Sequence, residues 1–461
     1  MYHLLIIGGG LSGIAAGIRA ARFGLKTLVL EQHSHPGGLN SYYFRQGRLF
    51  ETGLHAMTNF APAGQKHAPL NKLLRQLNLR RRQFDLREQI ASEIYFNGQS
   101  LLFTNDPAVL EAEIAREFPG AIDRFRQLKE EIADHDPFTP GPRRSARQFL
   151  DHYLQEQKLV DMLLLPLMIY GNAEEDDMDL DQFVIMFRAI FVEGLFRPSG
   201  TIRDFLELLL RQYREFGGEL RLKSPVVELL TGNGRVTGAL LANGEVVTAR
   251  VVLSTAGIPE TMRLVSWAAS PQPYIGRMSF MEIMALVPRM HSASLPPDRT
   301  VLFYHKGAEL KYRRPEDYLD LSWGVICFSQ NFAGLESADP LQIRMTHPAN
   351  YSLWRRLAPE SYSQIKQQWT EAAITASEEM IGKYRSSVVY RDSFTPVTIE
   401  RYTRKAQGAV YGSSIKIKNG MTPWPNLYLA GTDQGFLGII GAMLSGITIV
   451  NQHILKRSYA D

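Results

Sequence analysis

The chain has 461 residues, 45% hydrophobic and 21% charged, proportions ordinary for a globular protein and long enough for roughly two to four domains. Its formal net charge of +4 is small and its Lys and Arg are scattered, which argues against a dedicated nucleic-acid binder. The single cysteine, Cys327, excludes an intramolecular disulfide, and no zinc-type Cys/His spacing occurs, so no metal site is expected. The opening MYHLLIIGGG carries no basic leader, and no run of about 18 apolar residues follows. The expectation is a cytoplasmic protein.

Residues 4–7 form a short apolar run suited to a buried parallel strand. Gly8-Gly9-Gly10-Leu11-Ser12-Gly13 follows at once and fits G-x-G-x-x-G; a helical pattern starts at Ile14, a second strand is expected over 26–30, and Glu31 closes it. That order is the layout of a dinucleotide-binding unit. Gly8 permits the tight turn, Gly10 lets backbone approach a pyrophosphate, and Gly13 lets helix pack on strand. The helix start, where Ser12 sits, offers free N–H groups and the positive end of the helix dipole. Glu31 accepts hydrogen bonds from ribose hydroxyls and would repel a 2′-phosphate. A second glycine pair stands in His35-Pro36-Gly37-Gly38-Leu39-Asn40, which on its own reads equally as a plain turn.

Residues 68–79 are amphipathic and run into Arg80-Arg81-Arg82. Helix is expected over 106–135, a Pro/Gly/basic linker over 138–144, and helix again over 145–197. Within the last of these, 183–196 (FVIMFRAIFVEGLF) carries only Arg188 and Glu193 as charges. This stretch and 68–79 read either as core helices or as surfaces meeting lipid, in a tunnel or at a membrane. Next come a strand near 217–222, hairpin turns at Gly232-Asn233-Gly234 and Asn243-Gly244, and a strand over 251–254. Further strands are expected over 278–287, 300–305 and 320–328. The final segment, from Asn426 through Gly431, Thr432 and Asp433 to Gly435, Gly438, Gly441 and an apolar helix, again runs strand, glycine turn, helix.

In these motifs the sequence resembles the FAD-dependent oxidoreductases with a G-x-G-x-x-G…E…G-G opening, which include amine oxidases and carotenoid desaturases. Phe50-Glu51-Thr52-Gly53-Leu54-His55 is similar to an acid-x-Gly-x-His element of carotenoid isomerases and retinol saturases. Thr395-Pro396, Glu400-Arg401 and Gly408-Ala409-Val410-Tyr411-Gly412 look like their T-P…G-x-x-Y-G element. Pro198-Ser199-Gly200 resembles their P-x-G turn, with Thr201 where a second glycine is common. The likeness to the phytoene desaturase, carotenoid isomerase and retinol saturase group covers nearly the whole chain.

The resemblance implies an α/β fold with FAD as cofactor. A Rossmann-type FAD-binding domain would be assembled from 1–65, 198–275 and 385–461, with a mixed α+β substrate domain from 66–197 and 276–384. Gly37, Gly38 and Leu39 would meet the pyrophosphate from its other side, with Gly53 beside them, and Val226 would pair its backbone with adenine. Gly431 and Asp433 would serve the ribityl chain, and Ile439, Ile440 and Gly441 would border flavin N1 and O2. His55 is the candidate catalytic residue, as a proton relay or, equally, a histidine tying down the glycine turn; Glu400 and Arg401 rank below it. The implied substrate is a long apolar isoprenoid or polyene that exchanges hydride with flavin N5. Desaturation, isomerisation and saturation all stay open. The electron acceptor would be a quinone or oxygen, and membrane contact would be peripheral. The alternatives are a flavin amine oxidase, with Trp424 as a candidate for its aromatic cage, and a flavin-binding protein without turnover.

Overall fold

Residues 1–139, 141–335 and 339–458 are described by the computed structural model; Pro140 of the expected linker and the last three residues of the third cofactor stretch lie outside them. The strand Tyr2–Ile7 is buried over its last four residues and lies parallel between Thr27–Leu30 and Val246–Ser254. Glu219–Arg221 joins the outer side of Thr27–Leu30, and Leu427–Leu429 joins Val246–Ser254, both in parallel. Val246–Ser254 is long enough to serve two partners. Its first residues pair antiparallel with Arg235–Leu241, which pairs in turn with Val226–Gly232. Because the parallel strands run one way, their C-terminal ends bring Gly8, Glu31, Thr255 and Ala430 to one edge. In such sheets that edge is where ligands bind.

Helices Leu11–Ala21, Ile202–Glu215 and Gly438–Ile449 share one apolar core on a face of this sheet. The packing is backbone-close: a Cβ on Gly446 would stand 2.1 Å from Ser12 O, and one on Gly17 would stand 2.9 Å from the Tyr213 ring. The Tyr213 hydroxyl sits 2.9 Å from Thr27 Oγ1.

A second seven-stranded sheet runs in the order Tyr390–Phe394, Phe280–Val287, Leu341–Pro348, Trp323–Phe328, Val301–His305, Ser92–Phe96, Gln99–Phe103. All its pairs are antiparallel except Val301–His305 with Ser92–Phe96. Helix Pro359–Ile381 packs on one face; helices Gln157–Gly171 and Leu180–Phe187 pack on the other. Burial on both faces makes Phe280–Val287 and Trp323–Phe328 read as continuous apolar runs rather than alternating ones. A small sheet of Met57–Thr58, Leu195–Pro198 and Leu86–Glu88 stands apart from both.

Several expected elements change shape. The helix over 106–135 is two, Pro107–Glu117 and Ile122–Asp134, broken at Pro119-Gly120. The stretch 183–196 is not one helix. It is Leu180–Phe187, a π turn over Arg188–Val192, and then a strand, because Gly194 turns the chain at φ 95°. Its Phe side chains and Ile190 are in the core, Val192 is exposed, and Arg188 donates to the carbonyls of Ile132, Ala133 and His135 at the end of helix Ile122–Asp134. In 68–79, likewise, Leu70, Leu73, Leu74 and Leu77 are buried. Tyr390–Phe394 pairs within the second sheet, although it falls in the stretch 385–461 assigned to the cofactor domain. No described helix is long and apolar enough to cross a membrane.

Candidate active site

The two N-terminal glycine turns lie back to back. Gly37 N donates to Gly9 O at 2.8 Å, and Gly10 and Gly37 form a parallel bridge. A Cβ added to Gly10 would meet only Gly38 Cα, at 4.0 Å, so glycine here keeps a slot open between two backbones. Gly8 and Gly37 have φ of 105° and 109°, which side chains rarely tolerate. Gly13 has a different reason: a Cβ would stand 2.1 Å from Gly8 O. The helix Leu11–Ala21 starts at this slot without a side-chain cap, leaving its first amides free. Beside it, Ser12 Oγ is buried with no hydrogen-bond partner among the described residues. A backbone slot, a free helix start and an orphaned hydroxyl fit a bound diphosphate.

Glu31 braces the same turn, its two oxygens accepting from Gly9 N and His33 N, each at 2.7 Å. Gly9, absent from the sequence-derived site, belongs here: a Cβ on it would stand 2.9 Å from Glu31 Cβ. Ser224 N donates to Glu31 O at 2.9 Å, and Lys223 N to His33 O at 3.1 Å. Those bonds bring the start of Val226–Gly232 alongside Glu31.

At the closing turn, Gly431 N donates to Ser445 Oγ at 2.6 Å, tying turn to helix. Gly431 faces Ser12, 3.9 Å from its own Cβ position to Ser12 Cβ. Helix Gly438–Ile449 begins with no side-chain cap, buries Ile439 and Ile440, and has Gly441 packed on Phe436. Asp433 is buried, accepting from Ile258 N at 2.6 Å and Ser413 N at 2.9 Å. Burial pushes its carboxyl up, but Lys405, Lys416 and the two amides outweigh that and hold it below the usual carboxylate range. Gly412 is required there, since a Cβ would overlap Asp433 Oδ1. The Lys416 ammonium donates to Tyr411 O and Thr432 O, each at 3.0 Å, and burial pushes it down to about 8.

The segment Glu51–His55 is locked against the second glycine turn. Thr52 Oγ1 donates to Leu39 O at 2.6 Å, and a Cβ on Gly53 would stand 2.6 Å from Leu39 O. Glu51 turns the other way, accepting from Ile202 N at 2.6 Å and pairing with Arg197. His55 meets the second sheet: its Nε2 is 2.9 Å from Glu282 Oε1. Arg344, fully buried, donates through Nε to Glu282 at 2.7 Å and through its other nitrogens to Leu54 O and Thr52 O. Thr346 Oγ1 donates to Glu282 Oε2 at 2.5 Å. Burial raises the Glu282 carboxyl, yet His55 and Arg344 outweigh it and hold the group at about 2. Tyr170 and Tyr411 lie within electrostatic reach of Glu282, with the Phe303 and Phe280 rings against them, in one apolar assembly that also takes in Ala56 and Val410. The Tyr170 hydroxyl is buried without a partner among the described residues. Glu282, Arg344, Thr346 and Tyr170 were not found in the sequence, although a lone charge inside a fully apolar strand was a usable signal.

A separate cleft of about 1060 Å³ opens between loop 60–68, Glu88-Gln89, the turn 104–107 and Val192-Glu193. Glu193 accepts from Asn59 Nδ2 at 2.7 Å and makes no ion pair among the described residues; burial pushes its carboxyl up to about 7. Thr58 Oγ1, bonded to Asn59, stands 3.4 Å from a Cβ position on Gly438, so the cleft floor adjoins the start of the closing helix.

Other candidates lie elsewhere. Glu400 is occupied by Tyr351 OH at 2.6 Å and Gln407 N at 3.1 Å, and Arg401 lies over the Tyr402 ring. Trp424 packs edge-on against Trp267 before the final strand, at the end away from the glycine turns.

A family model described as flavin containing amine oxidoreductase matches residues 11–288. The chain is 21% identical to all-trans-retinol 13,14-reductase of Danio rerio, over 99% of this chain and 87% of that one. It is 23% identical to the chloroplastic prolycopene isomerase of Daucus carota, over 95% and 74%. An oxidoreductase from Methanosarcina mazei superposes with a TM-score of 0.68 at 15% identity, over 98% and 100% of the two chains. The fold is thus a Rossmann-type FAD-binding unit with a substrate-binding unit. With the family match spanning more than half its length, the chain belongs to the flavin-containing amine oxidoreductase family, and FAD is its cofactor.

Proposed function

We propose that this FAD-dependent oxidoreductase acts on a long apolar isoprenoid or polyene substrate, as phytoene desaturase-like enzymes do. The observation that carries the reading is the assembly at His55: the charges of Glu282 and Arg344 are spent on each other, and the side chains beside them belong to one large apolar core. Likeness to an all-trans-retinol 13,14-reductase and a prolycopene isomerase, over 87% and 74% of those chains, supports it. Bound FAD supplies two-electron chemistry at N5, with a quinone or oxygen as final acceptor.

The cofactor domain is assigned to 1–65, 198–275 and 385–461 without the strand Tyr390–Phe394, and the substrate domain to 66–197 and 276–384 with that strand. Gly8, Gly10, Ser12, Gly13, Gly37, Gly38 and Leu39 hold the diphosphate, with Gly53 behind them; Glu31 and Val226 serve the adenosine. Gly431 and Asp433 serve the ribityl chain, Asp433 through lone pairs that its two amide donors leave over. Ile439, Ile440 and Gly441 present the free start of the closing helix to the flavin pyrimidine edge. The protein works in the cytoplasm and meets its substrate at a membrane surface.

The test is anaerobic mixing of the FAD-bound protein with phytoene liposomes, following flavin absorbance and extracted lipid together. The expected result is bleaching with a newly conjugated product. No bleaching with phytoene or with a more conjugated carotenoid would overturn the lipid reading. His55→Ala is expected to keep FAD and slow the bleaching by about 100-fold, the usual scale for losing a general acid or base; an unchanged rate would remove His55 from the chemistry.

A second reading, amine oxidation, is favoured by Glu193. A half-buried carboxylate with no ion pair among the described residues, facing a cleft that adjoins the closing helix, suits an ammonium-bearing substrate. Bleaching by simple amines, weakened at subsaturating amine by Glu193→Gln, would establish it.

A further inference from the structure

We propose that Glu282, held by Arg344 and Thr346, is a positioning residue that fixes the His55 ring with its proton on Nε2, so that Nδ1 is the atom that exchanges a proton with the substrate. The inference rests on the reading of His55 as a group at the flavin, and it names the atom and the residues that orient it.

The bonding leaves little freedom. Glu282 is only 4% exposed and accepts from Arg344 Nε on one oxygen and Thr346 Oγ1 on the other. Ionised as its surroundings hold it, the carboxylate only accepts. A histidine nitrogen 2.9 Å from it must therefore carry a hydrogen, or two lone pairs would face each other. Thr346 agrees: its proton is committed to Glu282, so toward His55 Nε2, 3.3 Å away, its oxygen acts as acceptor. His55 Nδ1 has no hydrogen-bond partner among the described residues, and the ring is 16% exposed against 4% for Glu282. A histidine whose second nitrogen is fixed by a carboxylate presents a defined tautomer to its reaction partner.

A plain brace explains less. Arg344 does join Thr52 and Leu54 to the second sheet, and Glu282 neutralises Arg344. Neither task needs an imidazole on Glu282 Oε1, nor a threonine directing its proton to Oε2. The charges facing the ring come from two neighbouring strands, Glu282 on Phe280–Val287 and Arg344 on Leu341–Pro348.

The deciding measurement is long-range ¹H–¹⁵N correlation of the histidine rings in the FAD-bound protein at alkaline pH, with His55→Asn identifying the signal. A single Nε2–H tautomer for His55 is expected. An Nδ1–H tautomer, or the averaged pattern of a free imidazole, would overturn the proposal. Glu282→Ala, which removes the acceptor altogether, should release the tautomer and lower the limiting rate of flavin bleaching by phytoene about tenfold to hundredfold, with little change in half-saturation. Glu282→Asp should restore part of both. A variant with the wild-type tautomer and rate sinks the positioning role. If the variants do not fold, the wild-type spectrum still decides. Failure of phytoene to bleach the flavin while the Nε2–H tautomer is found would remove the polyene reading and leave this one standing.

Discussion

A Gly10→Val protein is expected to fold with nearly wild-type stability and to purify without flavin. Gly10 has φ −70° and ψ 173°, backbone that any residue adopts, and a Cβ there would meet nothing closer than Gly38 Cα at 4.0 Å. The chain itself thus has room for the new side chain, and thermal unfolding should shift by no more than about 1 kcal/mol. What the valine fills is the slot between the glycine turns, the place proposed for the diphosphate. The loss in FAD affinity should be at least about 10³-fold, or about 4 kcal/mol, read by titrating the apoprotein with FAD. Gly13→Ala gives the contrasting result. Its Cβ would stand 2.1 Å from the Gly8 carbonyl, so it should cost about 1–3 kcal/mol of folding stability before any ligand is considered. A yellow Gly10→Val protein with unaltered affinity would place the diphosphate elsewhere.

The same geometry explains why the glycine turns were readable in the sequence. Close backbone approach and positive φ both demand glycine, and the demand falls on residues a few positions apart, so spacing carries it. The strands around those turns were readable for a related reason: buried on both sides, they are short apolar runs bounded by glycine. The cluster at His55 was not readable in the same way. His55 and Glu282 are 227 positions apart, and Glu282 and Arg344 are 62 apart, so no local pattern links them. Only the presence of one charge in FMEIMALV and one in LQIRMTHP pointed to a pair. Asp433 lies between these cases: its place at the closing turn followed from the motif, while the amides of Ile258 and Ser413 that take its oxygens come from elsewhere in the chain. Residues 195–197 went from expected helix to strand because one glycine, Gly194, turns the chain where composition alone continued the helix.

Arg344→Leu is expected to destabilise the protein by about 3–5 kcal/mol, the range for removing one partner of a buried ion pair. Arg344 is fully buried, and its loss strands a carboxylate that is 4% exposed and leaves the carbonyls of Thr52 and Leu54 without their donor. Replacing Glu282 by leucine as well should recover most of that loss, since the penalty comes from the unpaired charge rather than from the missing attraction. Acidity gives an independent check with a definite sign. The folded protein holds Glu282 at about 2 against an ordinary value of 4.5, a depressed carboxyl, so its contribution is complete above about 4.5 and is lost as the pH falls toward 2. At about 1.36 kcal/mol per pKa unit the contribution is on the order of 3 kcal/mol. Urea unfolding of the wild type and Arg344→Leu from pH 6 down to pH 2 should therefore show a stability gap that narrows through that window. A gap that stays constant across it would mean that Glu282 is not held as a carboxylate by Arg344.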